Sequence, residues 1–222
     1  MTDAPSASSE QTRARLIEAA REVFSQHGFQ GATVREICRR AGANVAAVNY
    51  HFGSKEGLLE EALNFNKIKA LQISNAAMEA GAEVRLRLFV RDFMLMLIDE
   101  NNTSRQCRMM ARELADPTPA LDKIVTEAIA PLHKFLGELV CEIVGDKLNE
   151  RELQRHVFSL LGQCLFYRNS QPVLQRLHPE LHYDVVEIEA IATHIAEFTL
   201  TGLTAIKSSQ RVEVSSPLVK VA

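Results

Sequence analysis

Apolar residues recur three or four positions apart along most of the 222-residue chain. No stretch sustains the alternation or β-branched enrichment of a strand, so the pattern predicts an all-α fold. A first helix is expected over about 10–27, with Leu16, Ile17, Ala20, Val23 and Phe24 on one stripe and Gly28 as its stop. Thr33 and Glu36 have the spacing of a capping box that opens a second helix, which ends at Ala41-Gly42. A short third helix follows from Asn44 with Val45, Val48 and Phe52 facing inward, and Ser54 caps a fourth that continues to about Met78. Beyond Gly81 more apolar helices are expected near 82–98, 104–115, 119–144, 150–169 and 184–206. Pro117 and Pro119 mark a loop, and Pro131 within a helical pattern predicts a kink or a division.

The pattern divides the chain into a polar leader (1–9), a small helical module (10–63), a larger helical body (64–207) and a polar, aperiodic tail (208–222) expected to be poorly ordered. No uncharged run approaches the ~20 apolar residues of a membrane span. The N-terminus lacks the basic and apolar stretches of a secretory signal, so cytoplasmic residence is expected. Net charge is −3, which excludes a protein that coats nucleic acid over its whole surface. Between Gln11 and Lys55 seven basic residues face three acidic ones, a local net of +4 that leaves −7 for the remainder. A basic module on an acidic body is expected where one end meets phosphate. Cys38, Cys107, Cys141 and Cys164 are scattered within apolar patterns and read as buried, reduced thiols.

Two short helices joined by a glycine turn, preceded by a supporting helix and locally basic, have the outline of a helix-turn-helix. The outward residues of the third helix, Asn44, Ala46, Ala47, Asn49 and Tyr50, are small or hydrogen-bonding and suit a major groove. Asparagine can bond adenine bidentately and alanine methyls can touch thymine, while Tyr50 and His51 can reach phosphate oxygens. The second helix starts with Thr33 and free backbone donors beside Arg35, and the fourth with Ser54 and Lys55, so both starts can hold phosphate. In an arbitrary helical protein Tyr50-His51-Phe52 would more often be the corner of a helical core.

The segment from Thr33 to Leu58, TVREICRRAGANVAAVNYHFGSKEGL, resembles the DNA-binding region of TetR-family regulators, within a matching stretch from Thr12 to about Leu63. The resemblance implies that the third helix reads bases, while Tyr50, His51, Phe52 and Lys55 support or contact the DNA backbone. Family members often carry an aromatic where this chain has Asn49, which makes operator sequence less transferable and leaves the fold unaffected. Leu161-Gly-Gln-Cys-Leu-Phe-Tyr-Arg168, Pro172-Val-Leu and Glu187-Ile-Glu-Ala-Ile-Ala192 resemble the C-terminal domain of the CecR-like subgroup, which points to efflux and antibiotic sensitivity.

The last two long helices are apolar on more than one face, through Leu153, Val157, Leu161 and Leu165 and through Ile188, Ile191, Ile195 and Phe198. These are the expected dimer contacts, and the family resemblance implies such a homodimer on an inverted repeat. Phe93, Arg108, Met109, Arg112, His133 and Tyr167 mix apolar bulk with polar groups and are the candidate effector contacts. That a small-molecule effector releases the DNA is again an implication of the resemblance.

No GxGxxG, Walker-type, HExxH or GxSxG motif occurs, and no enzyme activity or cofactor is expected. His178 and His182 are four apart, but Pro179 makes a regular helical ligand pair doubtful, so no metal is expected. The competing class is a helical module that keeps this fold and acts through protein partners.

Overall fold

A computed structural model describes residues 7–63, 69–71, 79–98, 102–145 and 148–215; for residues 7, 102–107 and 209–215 it is the backbone that is described. The helices among them include α1 (Ala7–Gly31), α2 (Val34–Ala41), α3 (Ala46–Phe52), α4 (Lys55–Leu63), α5 (Ala82–Ile98), α6 (Asn102–Ala115), α7 (Ala120–Ile124), α8 (Ala130–Val144), α9 (Glu150–Asn169), α10 (Gln171–Leu177) and α11 (Val185–Ser215). No strand occurs among the described residues, so the all-α expectation holds.

Several boundaries differ from the expectation for local reasons. Gly28 does interrupt α1, at φ 70° and ψ 179°, but a last turn follows it through Gly31. α11 runs to Ser215 rather than ending near Ile206, since residues 207–215 contain no glycine or proline to stop it. The tail expected to be disordered is thus helical over 208–215, and 216–222 lie outside the described residues. The continuation of α4 toward Met78 and most of the leader fall outside them too, whereas 7–9 already belong to α1. α10 was not expected.

Pro131 divides its helix by an identifiable route. Residues Val125–Ile129 form a π-helical turn between α7 and α8, in which the Ala130 N–H donates to the Val125 carbonyl. A proline cannot donate the next helical hydrogen bond, and widening the preceding turn accommodates it.

The chain forms two compact units. The first joins α1–α4 with α6, α7 and the π turn, and is therefore discontinuous in sequence. Its core combines Leu16, Ala20, Val23 and Phe24 of α1 with Ile37, Cys38, Val48, Leu58, Leu59 and Leu63, closed by Met109 of α6 and Ile124 of α7. Each large apolar side chain buried this way contributes about 1.5–3 kcal/mol. At the α6–α7 turn, the buried Glu113 accepts from the Thr118 N–H and hydroxyl at 2.7 and 2.8 Å. On α4, Glu60 pairs with Lys123 at 2.6 Å.

The second unit contains α5 and α8–α11. Phe89 anchors its core, with ring centroids 5.4 Å from both Phe93 and Phe135. α5 packs along α11 and is pinned by exposed pairs, Arg87 to Glu197 at 2.7 Å and Arg91 to Glu189. Asn149 and Glu152 open α9 with a complete capping box.

Here the expected dimer contacts need correction. Val157, Ile188, Ile191 and Ile195 are buried within the chain itself, because these faces of α9 and α11 pack inside the unit. Leu153 lies against Gly137 of α8, and Leu161 and Leu165 are half-buried. The exposed faces of the same helices carry Phe158, Gly162 and Phe166 on α9, and Val186, Phe198 and Gly202 on α11. Of the expected contacts, Phe198 is the one that is fully outward, at 65% exposure.

Candidate nucleic-acid interface

Thr33, in extended conformation, accepts the Glu36 N–H at 3.2 Å and so caps α2. The reciprocal half of the expected capping box is replaced. Glu36 instead receives two hydrogen bonds from Arg39, at 2.8 and 2.7 Å, and one from Arg40 at 2.7 Å. The arginines hold the Glu36 carboxyl down to about 2. Arg40 also reaches Glu22 at 3.0 Å and Gln26 at 3.1 Å on α1, locking α2 onto its support. Two of the module's cations are therefore neutralised locally. Arg35 is exposed beside them and has no ion pair among the described residues.

Gly42 turns the chain from α2 toward α3 at φ 60° and ψ 40°, a left-handed conformation that side chains resist. The Ala43 N–H then donates to Cys38 O at 2.9 Å, and the buried Cys38 thiol to Asn44 O at 3.6 Å. Asn44 has a role beyond the expected one: its Oδ1 accepts the Ala46 N–H at 2.9 Å and caps the start of α3. Its amide N–H groups and the second lone pair of Oδ1 stay available to a base.

Within α3, Ala46, Asn49 and Tyr50 are exposed and Val48 is buried. Ala47, expected outward, packs partly against the core, and Val45, expected inward, is exposed just before α3. Tyr50 is 79% exposed and meets His51 edge-on at 4.9 Å. His51 lies 5.9 Å from Phe52, which packs against the core. At the start of α4, Ser54 accepts the Gly57 N–H at 3.1 Å. The Lys55 ammonium stands 4.2 Å from the Phe29 ring centroid, and burial holds its pKa below the ordinary lysine value.

Thr33, Arg35, Asn44, Asn49, Tyr50, His51 and Lys55 thus all lie on α2, α3, the turn between them or the start of α4. Arg13 and Arg21 were not singled out from the sequence. Arg13 reaches Glu61 of α4, and Arg21 donates to Ala62 O at 3.0 Å, contacts 48 and 41 residues apart that local spacing cannot reveal.

The candidate effector residues are not brought together in one unit. Arg108, Met109 and Arg112 stand on α6 in the first, Phe93, His133 and Tyr167 on α5, α8 and α9 in the second. Met109 belongs to the first unit's core. Arg112 lines a cavity of about 260 Å³ with Met109, Phe24, Phe29 and Leu59. In the second unit Phe93 is buried and the His133 ring lies 5.3 Å from Phe158. The His133 Nε2 atom is buried without a hydrogen-bond partner among the described residues. Tyr167 meets Phe166 edge-on at 6.0 Å. Cys38 and Cys164 are buried free thiols, Cys141 is half-buried, and burial pushes Cys164 up to about 12. The Cys107 side chain lies outside the described residues. No group of acidic, histidine or cysteine side chains among the described residues could hold a metal, and no described helix is long and apolar enough to cross a membrane.

A capped helix, a left-handed turn and a second helix bearing small and amide side chains define a helix-turn-helix DNA-binding module. The chain belongs to the TetR family of bacterial regulatory proteins, whose model matches residues 16–62, and is a DNA-binding transcriptional regulator. Residues 82–203 match the C-terminal domain of the HTH-type transcriptional dual regulator CecR. The chain is 30% identical over 171 residues to that CecR of Shigella flexneri, covering 72% of this chain and 76% of the relative. Two solved structures share the fold: FadR of Bacillus subtilis in complex with stearoyl-CoA, and AibR in complex with isovaleryl coenzyme A and operator DNA. FadR superposes with a TM-score of 0.64 at 16% identity, over 85% of this chain and 98% of its own. AibR does so with a TM-score of 0.64 at 20% identity, over 85% and 97%.

Proposed function

We propose that this protein is a homodimeric repressor that grips a palindromic operator through α3 and is released by a small-molecule effector bound in the second unit. The observation that carries the reading is the outer face of α3, where Asn49 and Tyr50 are exposed between two capped helix starts at Thr33 and Ser54. Asn49 and the Asn44 amide group would read base edges, with Ala46 against thymine methyls. Thr33, Arg35, Tyr50, His51 and Lys55 would fix the register on phosphates. The outward aromatic and small residues of α9 and α11 support the twofold contact, since Phe158, Phe166 and Phe198 are exposed there.

For the effector, the buried His133 Nε2, without a hydrogen-bond partner among the described residues, is a group that a ligand would satisfy. Two relatives in fold hold acyl-CoA thioesters of different chain length, so acyl-CoAs are the first class to screen. Residence in the cytoplasm follows from such a role.

The test is a gel shift of the full chain on the DNA upstream of its own gene, repeated with acetyl-, isovaleryl- and stearoyl-CoA. A retarded complex that salt weakens steeply and an acyl-CoA dissolves is expected. Asn49→Ala and Lys55→Ala variants that keep full activity in cells would instead favour an interaction module acting through protein partners.

A further inference from the structure

We infer that Arg13 is a positioning residue for the recognition helix, its charge paired with Glu61 so that it aims Tyr50 and His51 without itself binding DNA. The inference rests on the DNA-binding reading above. The guanidinium of Arg13 lies on α1, pairs with Glu61 Oε2 of α4 at 2.5 Å, and stands 5.5 Å from the ring centroid of Phe52 on α3. One side chain therefore touches the support helix, the recognition helix and the helix after it. From Phe52 the contacts continue through His51 at 5.9 Å to Tyr50 at 4.9 Å. Tyr50, the most exposed aromatic of the module, is thus the far end of a row of rings whose near end Arg13 covers.

Charge argues against a phosphate role for the same arginine. Arg13 shares an open groove of about 560 Å³ with Ser9, Glu10, Ala14, Ile17, Tyr50 and His51. The acidic residue Glu10 lines the same groove, and the Arg13 cation there is compensated by Glu61. An anion would meet no net positive charge there. A guanidinium is suited to the other task, because its planar fork pairs with a carboxylate while its face packs on an aromatic ring.

The two roles have opposite signatures in salt dependence. Each phosphate contact removed lowers the slope of log K against log salt by about 0.9, whereas a misaimed helix loses affinity with the slope unchanged. The experiment measures full-length protein by fluorescence anisotropy on a labelled duplex selected by the wild type from a random library, and on a scrambled duplex. Potassium chloride is varied, and circular dichroism confirms folding of every variant.

Arg13→Ala is expected to weaken the selected duplex about tenfold at every salt concentration with an unaltered slope, and to weaken the scrambled duplex less. Glu61→Gln is expected to weaken it in the same way, and Arg13→Lys to recover most of the loss. If Arg13→Ala fails to fold, Glu61→Gln and Arg13→Lys decide alone. A slope lowered by about 0.9 in Arg13→Ala, or tighter binding by Glu61→Gln, would overturn the inference in favour of a phosphate contact. Equal binding by all variants would overturn it as well. No selection of any duplex by the wild type would instead sink the DNA-binding reading.

Discussion

Lys55 stands with its ammonium 4.2 Å from the centre of the Phe29 ring. Phe29 follows the break at Gly28 and itself stacks on Phe24, at 6.0 Å, so the lysine is aimed by the end of α1. An ammonium resting on an aromatic face loses little further freedom when it meets a phosphate. Phe29→Leu is therefore expected to weaken DNA binding about two- to fivefold, the worth of a half-exposed cation–π contact at roughly 0.5–1 kcal/mol. Anisotropy titrations of the two proteins check it. Binding unchanged by the substitution would show that Lys55 needs no such support.

Asn44 carries a cap as well as an exposed amide. Asn44→Ala should cost about 1 kcal/mol of stability by removing the acceptor for the Ala46 N–H, whereas Asn44→Ser, which keeps an oxygen there, should cost much less. Thermal unfolding distinguishes the two. If serine destabilises as much as alanine, the cap is not what Asn44 supplies.

Glu36 gives the module a pH dependence of known sign. Its carboxyl is held at about 2 in the folded chain, mainly by hydrogen bonds from Arg39 and then Arg40, against the ordinary glutamate value of 4.5. A depressed carboxylate contributes stability that is present above its unfolded value and is lost as pH falls through the folded one. The wild type should therefore lose melting temperature between pH 4.5 and about 2 more steeply than Glu36→Gln does. Unfolding followed by circular dichroism at pH 7, 4 and 2.5 checks it; parallel curves would show that the two arginines do not stabilise the ionised form.

The outward face of α9 and α11 is expected to join two copies. Phe198 is 65% exposed, so replacing it should spare the fold of the single chain. Phe198→Glu is expected to raise the dimer dissociation constant at least roughly tenfold, as burial of a charge opposite its own copy would. Light scattering coupled to size exclusion reads the mass directly. A dimer as tight as the wild type would place the contact elsewhere.

Much of the DNA-binding module was legible in the sequence because its signals are local. Thr33 lies three residues before the N–H it caps, Gly42 sits where the backbone turns left-handed, and Val48 follows the helical stripe. What periodicity shows is that a face is buried, not against which helix. Met109 illustrates this: its apolar surroundings resemble a ligand pocket in one dimension, yet in three they complete the core around Leu16 and Phe24. α9 and α11 pose the same problem twice over. Both faces of each are apolar, and only packing against α5 reveals that Val157 and Ile195 point inward while Phe158 and Phe198 point out. The capping box at Thr33 failed in one half for electrostatic reasons, since two nearby arginines attract the Glu36 carboxylate more strongly than one backbone N–H does.

The most direct test of the account is a hydroxyl-radical footprint of the full chain on the DNA upstream of its gene, with Asn49→Ala run alongside. Two related half-sites should be protected roughly one helical turn, about 10 base pairs, apart, with the protection altered at specific bases by the substitution. Protection without any twofold pattern, unchanged in Asn49→Ala, would contradict it.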